Sequence, residues 1–343
     1  MKTSITVGGY ARDNIRATVD FVRSAEKLGV SQVWSAEAWG QDAVTSLAFL
    51  AAETNRIRLG TGIMQISARV PSMIAMTALS MHALSNERFT LGLGVSGPQV
   101  VEGLHGVAYD APLTRLKETV EIVRLALKGD KLSYKGKRHA LPKPGGEGKA
   151  IRLDFPPTDI PIFLATLAPK SLEYTGASAD GWLGTSFSPD YAEAHLAHIR
   201  EGARAAGRSI EDIELHVACP VAIGERVEQM IDARRYGVAF SMGAMGSRTT
   251  NFYNDALQRA GFVDDAKAIQ KLWLAGKRDQ ATKRVPDDMV TKYGAIGTPE
   301  MVLERFRLYH DVGITSLTLR LDVEDEKEKT GLLEQIIDLL NHL

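Results

Sequence analysis

The sequence predicts an α/β fold built as a single (β/α)8 barrel with insertions. Three observations predict it. Strands and helices alternate through the first third with short links between them. Eight strand-like segments are found along the chain. The alternation is interrupted at about 129–158 and about 240–295 and then resumes. Strict alternation of this kind calls for parallel strands covered by helices. One barrel spanning residues 1–343 accounts for eight such units better than two dinucleotide-binding domains do.

Each element has a local reason. Ile5-Thr6-Val7 alternates in polarity and stops at Gly8-Gly9, the pattern of a short strand. Asp13 is placed to cap a helix whose apolar residues Ile15, Val19, Val22, Ala25 and Leu28 recur at helical spacing, and Gly29 ends it. Gln32–Ser35 forms the second strand, 44–52 a second apolar helix, and 58–62 the third strand. Pro71 opens a helix through Leu84, at a position where its missing N–H costs little. Phe89–Gly94 is the fourth strand, followed by a helix over 113–127. The first insertion holds a hairpin turn at Tyr134-Lys135-Gly136-Lys137 and a Gly/Pro/Lys loop over 142–149. Strand five is 160–165, and 179–183 leads into strand six. A helix over 191–206 stops at Gly207, and 215–223 is strand seven. Residues 240–295 read as irregular helix with a basic stretch at 271–284. Strand eight, 316–319, precedes an amphipathic helix carrying Leu332, Leu333, Ile336, Ile337 and Leu340.

Composition narrows the function classes. Lys plus Arg number 41 against 42 for Asp plus Glu, so the chain has no global field for nucleic acid or an anionic membrane. The N-terminus lacks the apolar run of a signal peptide, and no stretch of about 18 apolar residues exists to span a bilayer. A lone cysteine, Cys219, allows no internal disulfide and fits a reducing, cytoplasmic setting.

Several motifs have both a functional and a structural reading. Gly92-Leu93-Gly94-Val95-Ser96-Gly97 matches G-x-G-x-x-G, yet it follows the fourth strand, and Pro98, Gly103 and Gly106 interrupt the long helix a dinucleotide site requires. In a barrel these residues lie at the C-terminal end of strand four, where active sites sit. Gly60-Thr61-Gly62-Ile63-Met64 ends strand three similarly, or is a plain turn. Glu37 and Trp39 after strand two are an acid/base group with a stacking platform, or a surface carboxylate with a half-buried ring. Ala165-Thr166-Leu167-Ala168-Pro169-Lys170 opens a helix whose N-terminus suits phosphate, or is simply a helix start with a solvated lysine. Thr298 and Glu300 read as a capping box. The eight histidines are scattered; His195 and His198 lack accompanying ligands, so no metal is expected. Cys219, before Pro220, reads as buried and inert.

The stretches AEKLGVSQVWSAEAWGQDAVTSLAFLAAETNRIRLGTGIM and ALSNERFTLGLGVSGPQVVEGLHG resemble the bacterial-luciferase-like superfamily. Within it the resemblance is closest to the branch that uses the deazaflavin coenzyme F420, which includes methylenetetrahydromethanopterin reductase. IPIFLATLAPKSLEYTGASADGW, VAFSMGAMGS and YGAIGTPEMVLERF extend it over nearly the whole chain. The resemblance implies a TIM barrel, a homodimer, and hydride transfer between the deazaflavin C5 and a small-molecule substrate. It places a non-prolyl cis peptide, bulging behind the ring, at Gly62-Ile63, with Met64 beside it. It sets Glu37 near the redox end as proton donor or relay. Ser96 and Gly97 lie beside the cofactor, Ala165, Thr166, Leu167 and Ala168 surround its phosphate, and Arg69 and Lys170 meet its anionic tail. Trp39 and Arg248 face substrate, with 240–254 closing the pocket. The superfamily's sugar-phosphate dehydrogenase has an Asp-His pair after strand two where this chain has Ala36-Glu37, which argues against histidine-dependent alcohol oxidation. An FMN-dependent monooxygenase, a catalytically silent cofactor-binding barrel and an NAD dehydrogenase are the alternatives.

Overall fold

The computed structural model describes residues 1–8, 15–247, 249–323 and 325–343. Eight parallel strands close into a ring: β1 (Lys2–Val7), β2 (Gln32–Ser35), β3 (Arg58–Thr61), β4 (Phe89–Gly94), β5 (Ile162–Ala165), β6 (Gly181–Gly184), β7 (Glu214–Ile223) and β8 (Ser316–Leu321). Each pairs with its neighbours in sequence, and β8 returns to β1 through Lys2↔Ser316 to Ile5↔Leu319. The expected (β/α)8 barrel is therefore present. Gly8 ends β1, whereas the proposed cap at Asp13 lies outside the described residues.

Strand alternation separates two cores. Ile5, Val33, Leu59, Leu91 and Ile162 point outward into the layer beneath the helices and are almost fully buried. Trp34, Phe163 and His216 point inward and contact one another, with centroids 5.1 to 5.6 Å apart. Two glycines make room for them: a Cβ at Gly60 would lie 2.3 Å from the Trp34 ring, and one at Gly181 2.4 Å from Phe163. The barrel interior is thus a packed plug, and chemistry is confined to its C-terminal rim.

The helices follow the sequence closely at Ile15–Lys27, Pro71–Leu84 and Pro112–Leu127, and Gly29 and Gly207 adopt the positive φ that terminates a helix. Three expectations need correction. The second insertion begins with Val227–Ala244 rather than at 240, and continues through Phe252–Arg259, Val263–Leu274, Arg278–Lys283 and Asp288–Thr291. Its first helix has no capping side chain at Arg226, so no start signal marks it in the sequence. Buried Ile231, Met242, Leu257, Ile269 and Val285 give this insertion a core of its own. A short strand, Ala295–Gly297, extends the sheet beside β7. At Thr298 the hydroxyl accepts from the Met301 amide at 3.5 Å and donates to Glu300 Oε2 at 2.7 Å, so Glu300 binds the cap side chain and no reciprocal box forms.

The first insertion contains the expected hairpin, Tyr134–Lys135 against Ala140–Leu141. Glu118 anchors it. Its carboxylate accepts the backbone N–H groups of Lys137, Arg138 and His139 at 2.6 to 2.9 Å. Burial opposes ionisation of Glu118, but these donors outweigh it and hold the pKa below its ordinary value. The associated stability is complete above the unfolded carboxylate value, near about 4.3, and is lost as pH falls through the lower folded value. Glu118→Gln is therefore expected to lower the melting temperature at neutral pH and to flatten its decline on the acid side. Parallel acid-side slopes for wild type and variant would contradict this assignment. Among the described residues no helix is long and apolar enough to cross a membrane.

Candidate active site at the barrel mouth

The C-terminal end of β3 is irregular in a specific way. Gly60 pairs with Thr90, but Met64 pairs with Leu93. Three residues, Thr61 to Ile63, therefore stand opposite two, Leu91 and Gly92: a bulge of one residue. The Gly62-Ile63 peptide bond within it is cis. The lost ladder bonds are replaced by a side chain. Thr61 Oγ1 accepts the Gly92 N–H at 2.9 Å and donates to the Gly92 carbonyl at 2.8 Å. A Cβ on Gly94 would lie 3.0 and 3.1 Å from Ile63 Cγ1 and Cδ1 and 3.6 Å from Ala165 Cβ. Ile63, Gly94 and Ala165 thus form a small apolar shelf where β3, β4 and β5 end.

Glu37 buttresses the bulge. Its Oε1 accepts from the Gln65 N–H at 2.8 Å and from Arg69 Nη1 at 2.5 Å, and its Oε2 from the Ala43 N–H at 3.2 Å. Its own N–H donates to the Ile63 carbonyl at 3.3 Å, and the Gln65 amide donates back to the Glu37 carbonyl. The Glu37 side chain is 7% exposed and that of Arg69 21%. Every partner of the carboxylate is a donor, the surroundings of a bound acceptor rather than a free proton donor. Arg69, expected at an anionic tail, is already committed to Glu37.

Ser96 has a positive φ of 60°, and its carbonyl accepts from the Tyr109 hydroxyl at 3.3 Å. Burial pushes the Tyr109 phenol up to about 12, so at neutral pH it stays protonated and is available as a donor. Gly97 precedes the short helix Pro98–Val101, and the Gln99 amide donates to the Gly246 carbonyl, tying the second insertion across the mouth. After β5, the Thr166 hydroxyl turns inward to Thr175 at 2.7 Å, and the Thr166 carbonyl accepts from Trp182 Nε1 at 3.0 Å. The Leu167 carbonyl accepts from Arg259 Nη2 at 2.7 Å, and Ala168 caps the helix Pro169–Ser178 without a side-chain bond. Lys170 is paired with Glu173 at 2.8 Å and largely solvated. Trp39 is exposed, and Arg248 lies outside the described residues.

Gly62, Ile63, Met64, Ser96, Gly97 and 165–168 therefore share one rim, on adjacent strands β3, β4 and β5. Thr61, Gln65, Tyr109 and Arg259 belong to the same rim and were not anticipated; only the position of Thr61 beside the glycines could have signalled a role. Two cavities open at the C-terminal end of the barrel. One of about 260 Å³ lies between Arg69, Val95, Tyr109 and Arg115. The other, of about 500 Å³, lies beneath the second insertion at the ends of β6, β7 and β8.

Comparison with known proteins agrees with this architecture. A family model described as luciferase-like monooxygenase matches residues 2–316. A Mycobacterium tuberculosis protein described as a coenzyme F420-dependent oxidoreductase is 34% identical, covering 99% of this chain and 98% of its own length. The 5,10-methylenetetrahydromethanopterin reductase of Methanolobus tindarius is 27% identical over 92% of this chain and 94% of its own. Among solved structures, the coenzyme F420-dependent tetrahydromethanopterin reductase of Methanopyrus kandleri superposes with a TM-score of 0.81 at 22% identity, covering 99% of both chains.

Proposed function

The chain belongs to the luciferase-like monooxygenase family, and from that premise we propose that it is a coenzyme F420-dependent oxidoreductase acting on a small organic substrate. The observation that carries the proposal is the 34% identity, over 99% of the chain, to a protein described as dependent on that coenzyme. The rim fits a flat heterocycle: the shelf of Ile63, Gly94 and Ala165 has no room for a further side chain at Gly94. When bound, the deazaflavin supplies a C5 that accepts or donates hydride.

The chain's own residues do the rest. The bulge at Gly62-Ile63, with Met64, would support the ring when the coenzyme is bound, and Ser96 and Gly97 would hold it from the next strand. The backbone of Ala165 to Ala168, with Lys170 nearby, would hold the phosphate, as helix N-termini favour anions. Glu37 acts as a positioning residue, holding Gln65 and Arg69 in place. Trp39, exposed after β2, is the residue proposed for the substrate side. Gln99 and Gly246 fasten the second insertion to the mouth.

The hydride step is tested with reduced coenzyme carrying deuterium at C5, offered with unsaturated or imine-like acceptors. Label recovered on carbon in the product is the expected result. Coenzyme binding with no transfer to any acceptor would instead identify a silent barrel.

A cytoplasmic homodimer is part of the same proposal. The helix Pro71–Leu84 and its preceding residue expose Val70, Met73, Met76 and Leu84 at 64%, 49%, 48% and 64%. That is an unusual run of large apolar side chains for a solvated helix. Light scattering is expected to report the mass of two chains; a single-chain mass would overturn this part.

A further inference from the structure

The larger cavity has a property that the redox reading does not use. Its walls are mostly apolar: Phe187, Phe240, Met242, Met245, Tyr293 and Ile296 are among them. Three charged residues also line it, Arg234, Arg320 and Asp322. Arg234 and Asp322 neutralise each other at 3.1 Å, and Arg234 also donates to the Met230 carbonyl. Arg320 stands apart. Among the described residues it has no hydrogen-bond or ion-pair partner.

Its position is not that of an ordinary surface arginine. β8 alternates, so Ser316, Thr318 and Arg320 share its inward face, and the first two are buried within the barrel. Arg320 is the next inward residue above them, paired in register with Pro220 of β7, which also lines the cavity. It therefore lines the cavity at its solvent-open side, where its side chain is exposed. Tyr253 lines the same cavity; burial pushes its phenol up, and the Arg320 charge pulls against that rise. The Tyr253 hydroxyl likewise has no hydrogen-bond partner among the described residues, so two unpartnered donors line one cavity.

We propose that this cavity is a substrate chamber for a largely apolar molecule carrying one anionic group, a carboxylate or a chemically similar oxyanion, held by Arg320 and Tyr253. The volume of about 500 Å³ suits such a ligand, with its body against the aromatic and methionine side chains. A guanidinium binds a carboxylate through two parallel hydrogen bonds, and Arg320, unpaired and exposed at the open side of a mostly apolar chamber, is free to make both. The chamber lies at β6 to β8, whereas the shelf and the loop after β5 lie at β3 to β5, so coenzyme and anion occupy different sectors. The assignment rests on the redox reading only in calling the ligand a substrate.

The test uses two dyes of one shape: anilinonaphthalene sulfonate, an anion, and N-phenylnaphthylamine, which is neutral. Each is titrated into wild type, Arg320→Leu and Arg320→Lys, with coenzyme F420 titrated in parallel and melting curves recorded. Wild type should bind the anionic dye more tightly. Arg320→Leu should weaken that binding about tenfold or more, with the neutral dye and F420 unchanged, and Arg320→Lys should restore part of it. Equal loss of both dyes, or no loss of the anion, overturns the proposal. Loss of F420 binding with the anionic dye unaffected also overturns it, by assigning Arg320 to the coenzyme. Failure of wild type to bind F420 while the dye difference persists supports the anion site and counts against the redox reading alone.

Discussion

Glu37→Ala is expected to destabilise the protein by about 3 kcal/mol or more, the cost of leaving one partner of a buried ion pair alone. Arg69 would lose its carboxylate, and the N–H groups of Gln65 and Ala43 would lose their acceptor. Glu37 also ties Gln65 and the Ile63 carbonyl at the bulge, so coenzyme binding should weaken in parallel with stability. Thermal unfolding and a coenzyme titration on the same preparation check both effects. The result also separates two roles. A positioning residue moves stability and affinity together. A proton donor would leave melting and binding near wild type while abolishing turnover, and that outcome would return Glu37 to the catalytic role its place after β2 first suggests.

The second large effect is expected at Thr61. Valine has the same shape, so Thr61→Val removes the hydroxyl and little else. Both the Gly92 N–H and the Gly92 carbonyl would then be buried without a partner. At about 1–3 kcal/mol for each abandoned group, the loss should be about 2–6 kcal/mol. Thr61→Ser keeps the hydroxyl and should lose far less. Urea unfolding of the two variants decides the matter; equal stabilities would show that water or a shifted backbone replaces the hydroxyl without cost.

These two residues also show what the sequence could and could not disclose. The barrel was legible because its signals are local. Alternating polarity marks Phe89–Gly94, and a proline at the first turn marks Pro71–Leu84; both elements occur with those limits. The bulge is different. Its position at Gly62-Ile63 came from resemblance to a family, since nothing in the spacing of Gly60-Thr61-Gly62 announces a one-residue slip against β4. The Thr61 to Gly92 bonds span 31 residues, and the Arg69 to Glu37 pair spans 32. Local pattern carries no information about such partners. The same holds for Arg259, which meets the Leu167 carbonyl 92 residues away. The start of the second insertion was missed for the opposite reason: the helix is local, but Arg226 supplies no cap to announce it. Arg320 reads as the polar end of a strand until closure of the barrel places it among the residues that line a chamber.

The most direct test of the account is a fluorescence titration of the apoprotein with coenzyme F420 and, separately, with FMN. The bulge, the shelf and the loop after β5 are assigned to a deazaflavin, so saturable binding of F420 with much weaker binding of FMN is the predicted result. Preferential binding of FMN would contradict it, and the same rim would then belong to a flavin-dependent monooxygenase.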